Sequence, residues 1–108
     1  KCTIHLIHGN LSESELHSLY THPKIKAYVS TSHGEGYGLP IFEAAYSGLP
    51  VIATDWSGHL DFLSATHKGK NKKLFAKISY ELKQVSAEAV WDKIITKESK
   101  SLFKLRNV

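Results

Sequence analysis

Two glutamates, Glu35 and Glu43, enclose a glycine-rich turn, and this is the part of the sequence best suited to chemistry. Seven residues separate the two carboxylates, and Pro40 lies between them. Proline suits the first turn of a helix because its φ is already helical and its missing N–H is not needed there. The apolar stretch over 40–47 predicts such a helix, and Gly48 follows it, where a left-handed cap is expected.

The predicted helix start brings together four backbone N–H groups, those of Gly36, Tyr37, Gly38 and Leu39. Free donors and the positive end of the helix dipole attract an anion such as a phosphate. A nearby carboxylate would be repelled unless the ligand also had hydroxyls for it to accept from. The pattern therefore indicates a ligand that joins an anion to a polyol, as a nucleotide-sugar does. We expect Gly38 to lie at the surface, where a Cβ would intrude on the diphosphate and leave the fold intact.

Strands and helices alternate along the first half of the chain. Strands are predicted over 3–8, 25–31 and 50–54, and Ser12 with Glu15 predicts a capping box at the start of an intervening helix. This alternation favours an α/β fold with a Rossmann-like parallel sheet, in which ligands lie at the carboxyl ends of the strands. Those ends are Gly9-Asn10, 32–38 and 54–58, so we expect three loops to converge on one edge.

The run from Ser32 to Leu63 resembles the donor-binding segment of retaining GT-B glycosyltransferases of the family-four type. The pattern is a small polar strand end, E-G-(aromatic)-G-L-P-x-x-E-A, then G-x-P-V-I-A-(T/S) and a glycine turn. Each part is present in register, at Ser32, 35–44, 48–54 and 57–58. The resemblance implies part of the C-terminal domain of a GT-B enzyme that transfers a sugar from a nucleotide-sugar to an acceptor with retention of configuration.

The resemblance also implies roles for the residues around the turn. Glu43 would accept from the ribose hydroxyls of the donor, and Glu35 would contact hydroxyls of the transferred sugar as the residue assigned to catalysis. The backbone over 36–39 would meet the sugar and the phosphates.

Two further positions are open to more than one interpretation. His33 would hydrogen-bond a phosphate or the sugar, or would be a surface histidine. Gly9 and Asn10 resemble a turn that lies near the nucleobase, although a plain strand–helix turn explains them equally well. No cofactor is expected, because the nucleotide-sugar is a substrate. No metal is expected either, because Asp-x-Asp is missing from the sequence and the helix dipole with basic side chains would neutralise the leaving nucleotide.

We interpret 1–108 as a single nucleotide-sugar-binding domain and a fragment of a longer enzyme. It divides into a family-like core over 1–63, a basic mobile loop over 64–73, and a divergent tail over 74–108, with a strand at 74–82 and a helix at 87–96. The acceptor-binding domain and a basic Arg/Lys pair for the diphosphate would lie upstream. The fragment alone is therefore expected to be inactive.

Charge is unevenly distributed along the chain. Residues 1–67 carry a net charge of −3 and residues 68–108 carry +7, with lysines clustered at Lys68, Lys70, Lys72 and Lys73. The cluster is either a solvated surface or a contact for anionic lipid headgroups. Nucleic acid is disfavoured because the basic residues are mostly lysines without interleaved aromatic residues.

Other function classes lack their motifs. The sequence contains neither a nucleophile elbow nor a P-loop, and its histidines form no recognisable metal-ligand set. A single cysteine, the lack of a signal peptide and the lack of a long apolar run favour a cytoplasmic protein, with or without peripheral membrane contact. The alternative to an enzyme is a non-catalytic module that binds a nucleotide or nucleotide-sugar.

Overall fold

A computed structural model describes residues 1–84 and 100–102 of the chain. Two helices and seven strands lie in these ranges, together with a 3₁₀ turn at Gly58–Asp61. In chain order they are α1 (Glu13–Tyr20), β1 (Tyr28–Ser30), α2 (Leu39–Tyr46), β2 (Val51–Thr54), β3 (Ser64–His67), β4 (Lys70–Lys73), β5 (Ala76–Ile78), β6 (Leu82–Gln84) and β7 (Lys100–Leu102). The helix expected over 87–96 lies outside the described residues.

A parallel sheet of order β1-β2-β5 is the centre of the fold. β2 is its middle strand, and its apolar residues pack with Ile41 of α2 and with Leu63 into a core that includes Val51 and Ala53. A strand buried on both faces is expected to be nearly all apolar, as β2 is. The predicted α/β architecture is therefore confirmed.

Helix α2 begins and ends close to where its sequence predicts. Pro40 lies in its first turn, and Gly48 follows it with φ of +81°. The Gly48 N–H donates to the Ala45 carbonyl and the Leu49 N–H donates to the Ala44 carbonyl, each at 3.0 Å, which is the Schellman arrangement. Ile41 and Ala44 face the sheet and fix the helix against it.

Helix α1 has the predicted capping box at its start. The Glu15 N–H donates to the Ser12 Oγ at 3.3 Å, and the Ser12 N–H donates to the Glu15 carboxylate at 2.8 Å. Tyr20 at the other end of the helix packs with Ala44 and Leu49, which joins α1 to α2.

The expected strand over 3–8 is wrong. These residues have no regular structure, and Ile4 and Leu6 are each 89% exposed. An extended segment becomes a strand only when a neighbour pairs with its N–H and C=O groups, and none of the described strands pairs with this one. The strand expected over 25–31 is shorter than predicted, because only Tyr28–Ser30 pair with β2.

The expected loop over 64–73 is also wrong, since β3 and β4 form an antiparallel hairpin there. Its two-residue turn is Lys68-Gly69, and both residues have positive φ, +50° and +73°. This is the backbone of the type I′ turn, which matches the twist of the flanking strands. The Lys-rich composition suggested a loop, but the turn geometry and the cross-strand pairing decide the structure.

The single strand expected over 74–82 is divided in two. β5 pairs in parallel with β2, while β6 pairs with β7 in a separate antiparallel pair. The chain leaves the parallel sheet after Ile78, and the ring of Tyr80 then lies 5.5 Å from that of Trp56. None of the helices in the described ranges is long and apolar enough to cross a membrane.

Candidate functional site

The glycine-rich turn is fastened to the loop that follows β2. Ser57 Oγ accepts from the Glu35 N–H at 2.8 Å and donates to the Glu35 carbonyl at 2.7 Å. The Gly58 N–H donates to the same carbonyl at 3.1 Å. These three hydrogen bonds fix the backbone of Glu35, which places its partly buried side chain at the carboxyl edge of the sheet.

Gly58 is required by the closeness of the two loops. A Cβ at this position would lie 2.0 Å from the Gly36 carbonyl oxygen, which is far inside van der Waals contact. Its neighbour Ser57 has φ of +84°, a conformation that non-glycine residues rarely adopt. Strained backbone of this kind persists when the surrounding structure holds it, and it concentrates at functional sites.

Buried polar contacts beneath the turn make this edge of the sheet rigid. Thr54 Oγ1 donates to the Ser32 carbonyl at 3.2 Å, and His59 Nε2 lies 2.7 Å from the Thr54 carbonyl, to which it donates. His59 is fully buried, and its Nδ1 has no hydrogen-bond partner among the described residues. The end of β2 thus supports both the turn and the 3₁₀ segment behind it.

Gly38 is the N-cap of α2, and the expectation that it lies at the surface is wrong. It is buried with φ of +89°, and a Cβ would lie 3.2 Å from the His59 Cβ and 3.3 Å from Ile41 Cδ1. Gly38 is therefore a structural requirement, and a larger residue there would disturb the fold. Gly36 is different, because a Cβ on it would meet nothing within 4 Å and its φ is not in the positive region.

The helix start presents free donors, as predicted. No side chain caps α2 at Gly38. Within the described part of the chain, the N–H groups of Gly36, Tyr37, Gly38 and Leu39 donate no hydrogen bond to a protein acceptor. Four unpaired donors at the positive end of a helix can bind an anion.

The negative charges of Glu35 and Glu43 both affect the pKa of the Tyr28 hydroxyl. Burial raises the pKa of Tyr28, and the negative charges of Glu35 and then Glu43 raise it further. Burial also raises the pKa of Tyr20, to which Tyr28 and Glu43 add smaller contributions. Both carboxylates thus lie within electrostatic reach of one phenol on β1, although they are on different elements.

Glu43 is exposed and lines a groove between α1 and α2. The groove has a volume of about 250 Å³ and is bounded on the α1 side by Glu13, Leu16, His17 and Tyr20. On the α2 side Phe42, Tyr46 and Ser47 line it beside Glu43, so the lining combines apolar and aromatic side chains with two carboxylates, those of Glu13 and Glu43. A planar or sugar-sized group with hydroxyls could lie in it and donate to Glu43.

The remaining predicted site residues, His33, Gly9 and Asn10, do not lie together in the structure. His33 is exposed in the turn that follows β1. Gly9 and Asn10 are exposed in irregular chain ahead of α1, so they do not end a strand, and the loop expected from them does not join the edge of the sheet. The third segment at this edge of the sheet is instead the end of β5. Its Ile78 carbonyl accepts from the Asp55 N–H at 3.2 Å.

Sequence reasoning gave no role to Ser57, Gly58 or His59, which hold the site together. The Ser-Gly pair was visible as a turn, but the contact that requires glycine involves Gly36, more than twenty residues earlier. Nothing in the local pattern distinguishes the buried His59 from a surface histidine. In residues 1–84 and 100–102 no group of three or more His, Cys, Asp or Glu side chains could hold a metal ion.

The chain is similar to a protein family and to three characterised proteins. Residues 4–95 match the family described as Glycosyl transferases group 1. Three proteins of Escherichia coli, each described as serotype-specific mannosyltransferase WbdA, are 46% identical to the chain over 46 residues, or 43% of its length. That segment is 5% of each relative, so this chain spans only a small part of their length. No solved structure matches the chain.

Proposed function

The chain belongs to the glycosyl transferases group 1 family, and from this membership we propose that it is the donor-binding half of a retaining glycosyltransferase. The donor is a nucleotide-sugar, and its diphosphate binds at the start of α2. The observation that carries the proposal is the set of four unpaired N–H groups over 36–39, on a turn fastened by Ser57 and Gly58. Such a preorganised set of donors stabilises a leaving diphosphate without reorganising during the reaction.

The two glutamates divide the donor between them in this proposal. Glu43 accepts from the ribose hydroxyls, which is consistent with its exposed position beside the groove between α1 and α2. Glu35 accepts from hydroxyls of the transferred sugar and is the catalytic residue of this chain. The pair is not the acid and nucleophile of a glycosidase, because both carboxylates bind the donor and neither attacks it.

In the proposed reaction, the bond between the anomeric carbon and the diphosphate oxygen breaks. A bond to an acceptor hydroxyl oxygen forms on the same face of the sugar, and the proton of that hydroxyl passes to the departing diphosphate. No metal or cofactor takes part. The chain has no lysine or arginine between Lys26 and Lys68, and the two lysines that reach the end of β2, Lys73 and Lys77, are paired with Asp55. In this proposal the cations that assist the helix dipole therefore come from another part of the protein.

The donor sugar is suggested by the relatives. The three matched proteins are named as mannosyltransferases, so nucleoside-diphosphate mannoses are the first donors to test. The acceptor is a glycan, a lipid or a small molecule, and the reaction takes place in the cytoplasm. We propose that this chain by itself binds donor weakly and does not turn it over.

The lack of lysine and arginine between Lys26 and Lys68 also favours a second candidate, a non-catalytic module that binds a nucleotide or nucleotide-sugar. Full-length protein separates the two, because only a transferase releases nucleoside diphosphate from a nucleoside-diphosphate mannose when acceptor is supplied. Binding without release in the presence of an accepted sugar would favour the module.

Substitution of the glutamates tests the division of roles in the full-length protein. Glu43→Ala should weaken nucleoside diphosphate binding, because it removes charge-assisted hydrogen bonds worth about 1.5–3 kcal/mol each. Glu35→Ala should lower turnover while diphosphate affinity is kept, since its partner is the sugar. Calorimetry with the diphosphate and steady-state kinetics check both, and equal loss of diphosphate affinity in the two variants would contradict the assignment.

A further inference from the structure

The hairpin of β3 and β4, which we call the basic ribbon, carries a surface that the donor site does not use. Three of its lysines, Lys68, Lys70 and Lys72, are exposed, and none forms an ion pair within the described residues. Lys73 differs, because its Nζ lies 3.3 Å from an Asp55 carboxylate oxygen. Asp55 also pairs with Lys77 at 3.3 Å, so this carboxylate is shared between two lysines.

The pleat of the ribbon separates these lysines by face. Side chains alternate along a strand, and residues directly opposite in an antiparallel pair share a face. His67 is opposite Lys70, and Ala65 is opposite Lys72, so these four residues lie on one face. Lys73 is on the other face, which is the one that reaches Asp55. Lys68 is at the tip in the turn. One face and the tip of the ribbon therefore carry positive charge, and their lysines have no acidic partner among the described residues.

This cationic face continues into exposed apolar surface. Leu74 follows on the same face and is 55% exposed, and its N–H pairs with the Leu63 carbonyl at 2.9 Å. Leu74 lines a groove with Phe42, Tyr46 and Phe62, of which Tyr46 is 84% exposed. Lysines beside exposed leucine and aromatic side chains are suited to a surface that is anionic at its headgroups and apolar below them.

We propose that the basic ribbon and the adjoining Leu74–Tyr46 surface form a docking site for an anionic lipid bilayer. Lys68, Lys70 and Lys72 contact the headgroups, and Leu74 and Tyr46 lie at the boundary with the acyl chains. Lysine point charges bind headgroups without fixed geometry, whereas nucleic acid recognition favours arginine and stacked aromatic residues, which the ribbon lacks. Tyr46 and Phe42 also line the groove beside Glu43, whereas the three lysines belong to the docking site alone.

Vesicle sedimentation of the 108-residue chain tests this docking site without any nucleotide-sugar. Vesicles of phosphatidylcholine with and without phosphatidylglycerol are the probes. The chain should sediment only with the anionic vesicles, and binding should fall with added salt, since the screening length shrinks from about 10 Å at 0.1 M to about 3 Å at 1 M.

A charge-matched pair of triple variants locates the site. The ribbon variant is Lys68→Asn, Lys70→Gln and Lys72→Gln, in which asparagine suits the positive φ of the turn. The control is Lys1→Gln, Lys24→Gln and Lys26→Gln, which removes the same charge from exposed lysines elsewhere. Each lysine near an anionic leaflet is worth about fivefold in binding, so the ribbon variant should bind on the order of a hundredfold more weakly. The control should bind nearly as well as wild type.

Three results would overturn the proposal. They are equal loss of vesicle binding in the two triple variants, equal binding to neutral and anionic vesicles, and ribbon-dependent binding to a single-stranded oligonucleotide but not to vesicles. Circular dichroism of both variants verifies that they keep the wild-type fold. Because donor is not present, a failure here leaves the proposed sugar transfer untouched.

Discussion

At the scale of single residues, the site depends on how one glutamate backbone is held. Glu35 has its N–H and carbonyl bound by Ser57 Oγ, and its carbonyl bound again by the Gly58 N–H. The backbone from which the Glu35 carboxylate projects is therefore held in place, although the turn around it is rich in glycine. Fixed functional groups of this kind need supporting contacts from neighbouring residues.

Gly58→Ala should destabilise the protein by about 1–3 kcal/mol, because the added methyl would overlap backbone that cannot easily move. The nearest atom is the Gly36 carbonyl oxygen, 2.0 Å from the ideal Cβ position. Gly34→Ala is the matched control, since its Cβ would be at an ordinary 3.9 Å from Ser57 Oγ. Urea unfolding measures both, and equal stability of the two variants would contradict the close approach of the loops.

At the scale of elements, sequence reasoning succeeded where local rules decide and failed where distant pairing decides. The capping box of α1 and the Pro-to-Gly limits of α2 follow from residues within each helix, and both were predicted. The segment over 3–8 has the composition of a strand but lacks a partner. The lysine-rich hairpin has the composition of a loop, yet its register pairs Ser64–His67 with Lys70–Lys73.

Gly48→Ala tests the end of α2. The new side chain would meet nothing within 4 Å, so the cost comes from φ of +81° alone and should be about 1–2 kcal/mol. Gly48→Asn should cost less, because asparagine tolerates the left-handed region better than alanine. Thermal or urea unfolding gives the two values. An alanine variant as stable as wild type would show that Gly48 does not need its left-handed backbone.

The capping box of α1 gives a pH prediction. The hydrogen bond from the Ser12 backbone, and then that from its side chain, lower the pKa of Glu15 from its ordinary value of 4.5. Because the folded state favours the carboxylate, the box contributes stability above pH 4.5, and this is lost as pH falls through the lowered pKa. Glu15→Gln keeps a box-forming side chain without titration, so its unfolding free energy should lose this part of the acid dependence. An unchanged pH profile in Glu15→Gln would contradict the assignment.

At the scale of the whole molecule, the edge of the sheet that we propose binds an anion lies in a part of the sequence with no lysine or arginine, between Lys26 and Lys68. Glycine spacing, Leu-Pro and the second glutamate predicted the edge, because in this sequence they lie within one continuous turn and helix. The supports at Ser57, Gly58 and His59 could not be predicted, since their roles arise from contacts across the top of the sheet. The lysines are concentrated elsewhere, on the basic ribbon.

The central claim is that the turn over 34–38 and the start of α2 hold the diphosphate of a nucleotide-sugar. Gly36→Val tests it most directly, because the added side chain would start in open space, with nothing within 4 Å of its Cβ, and would add bulk to the turn that we propose binds the diphosphate while leaving the packing unchanged. The measurement, made on the full-length protein, is the rise in melting temperature with saturating guanosine- or uridine-diphosphate mannose, since binding to the folded state at 100 times Kd adds about 2.7 kcal/mol. Gly48→Ala is the control, because it alters the far end of α2. We expect Gly36→Val to keep the unliganded melting temperature and lose the rise, and Gly48→Ala to melt lower and keep it. A Gly36→Val protein that keeps the full rise would contradict the claim, because the diphosphate would then lie elsewhere.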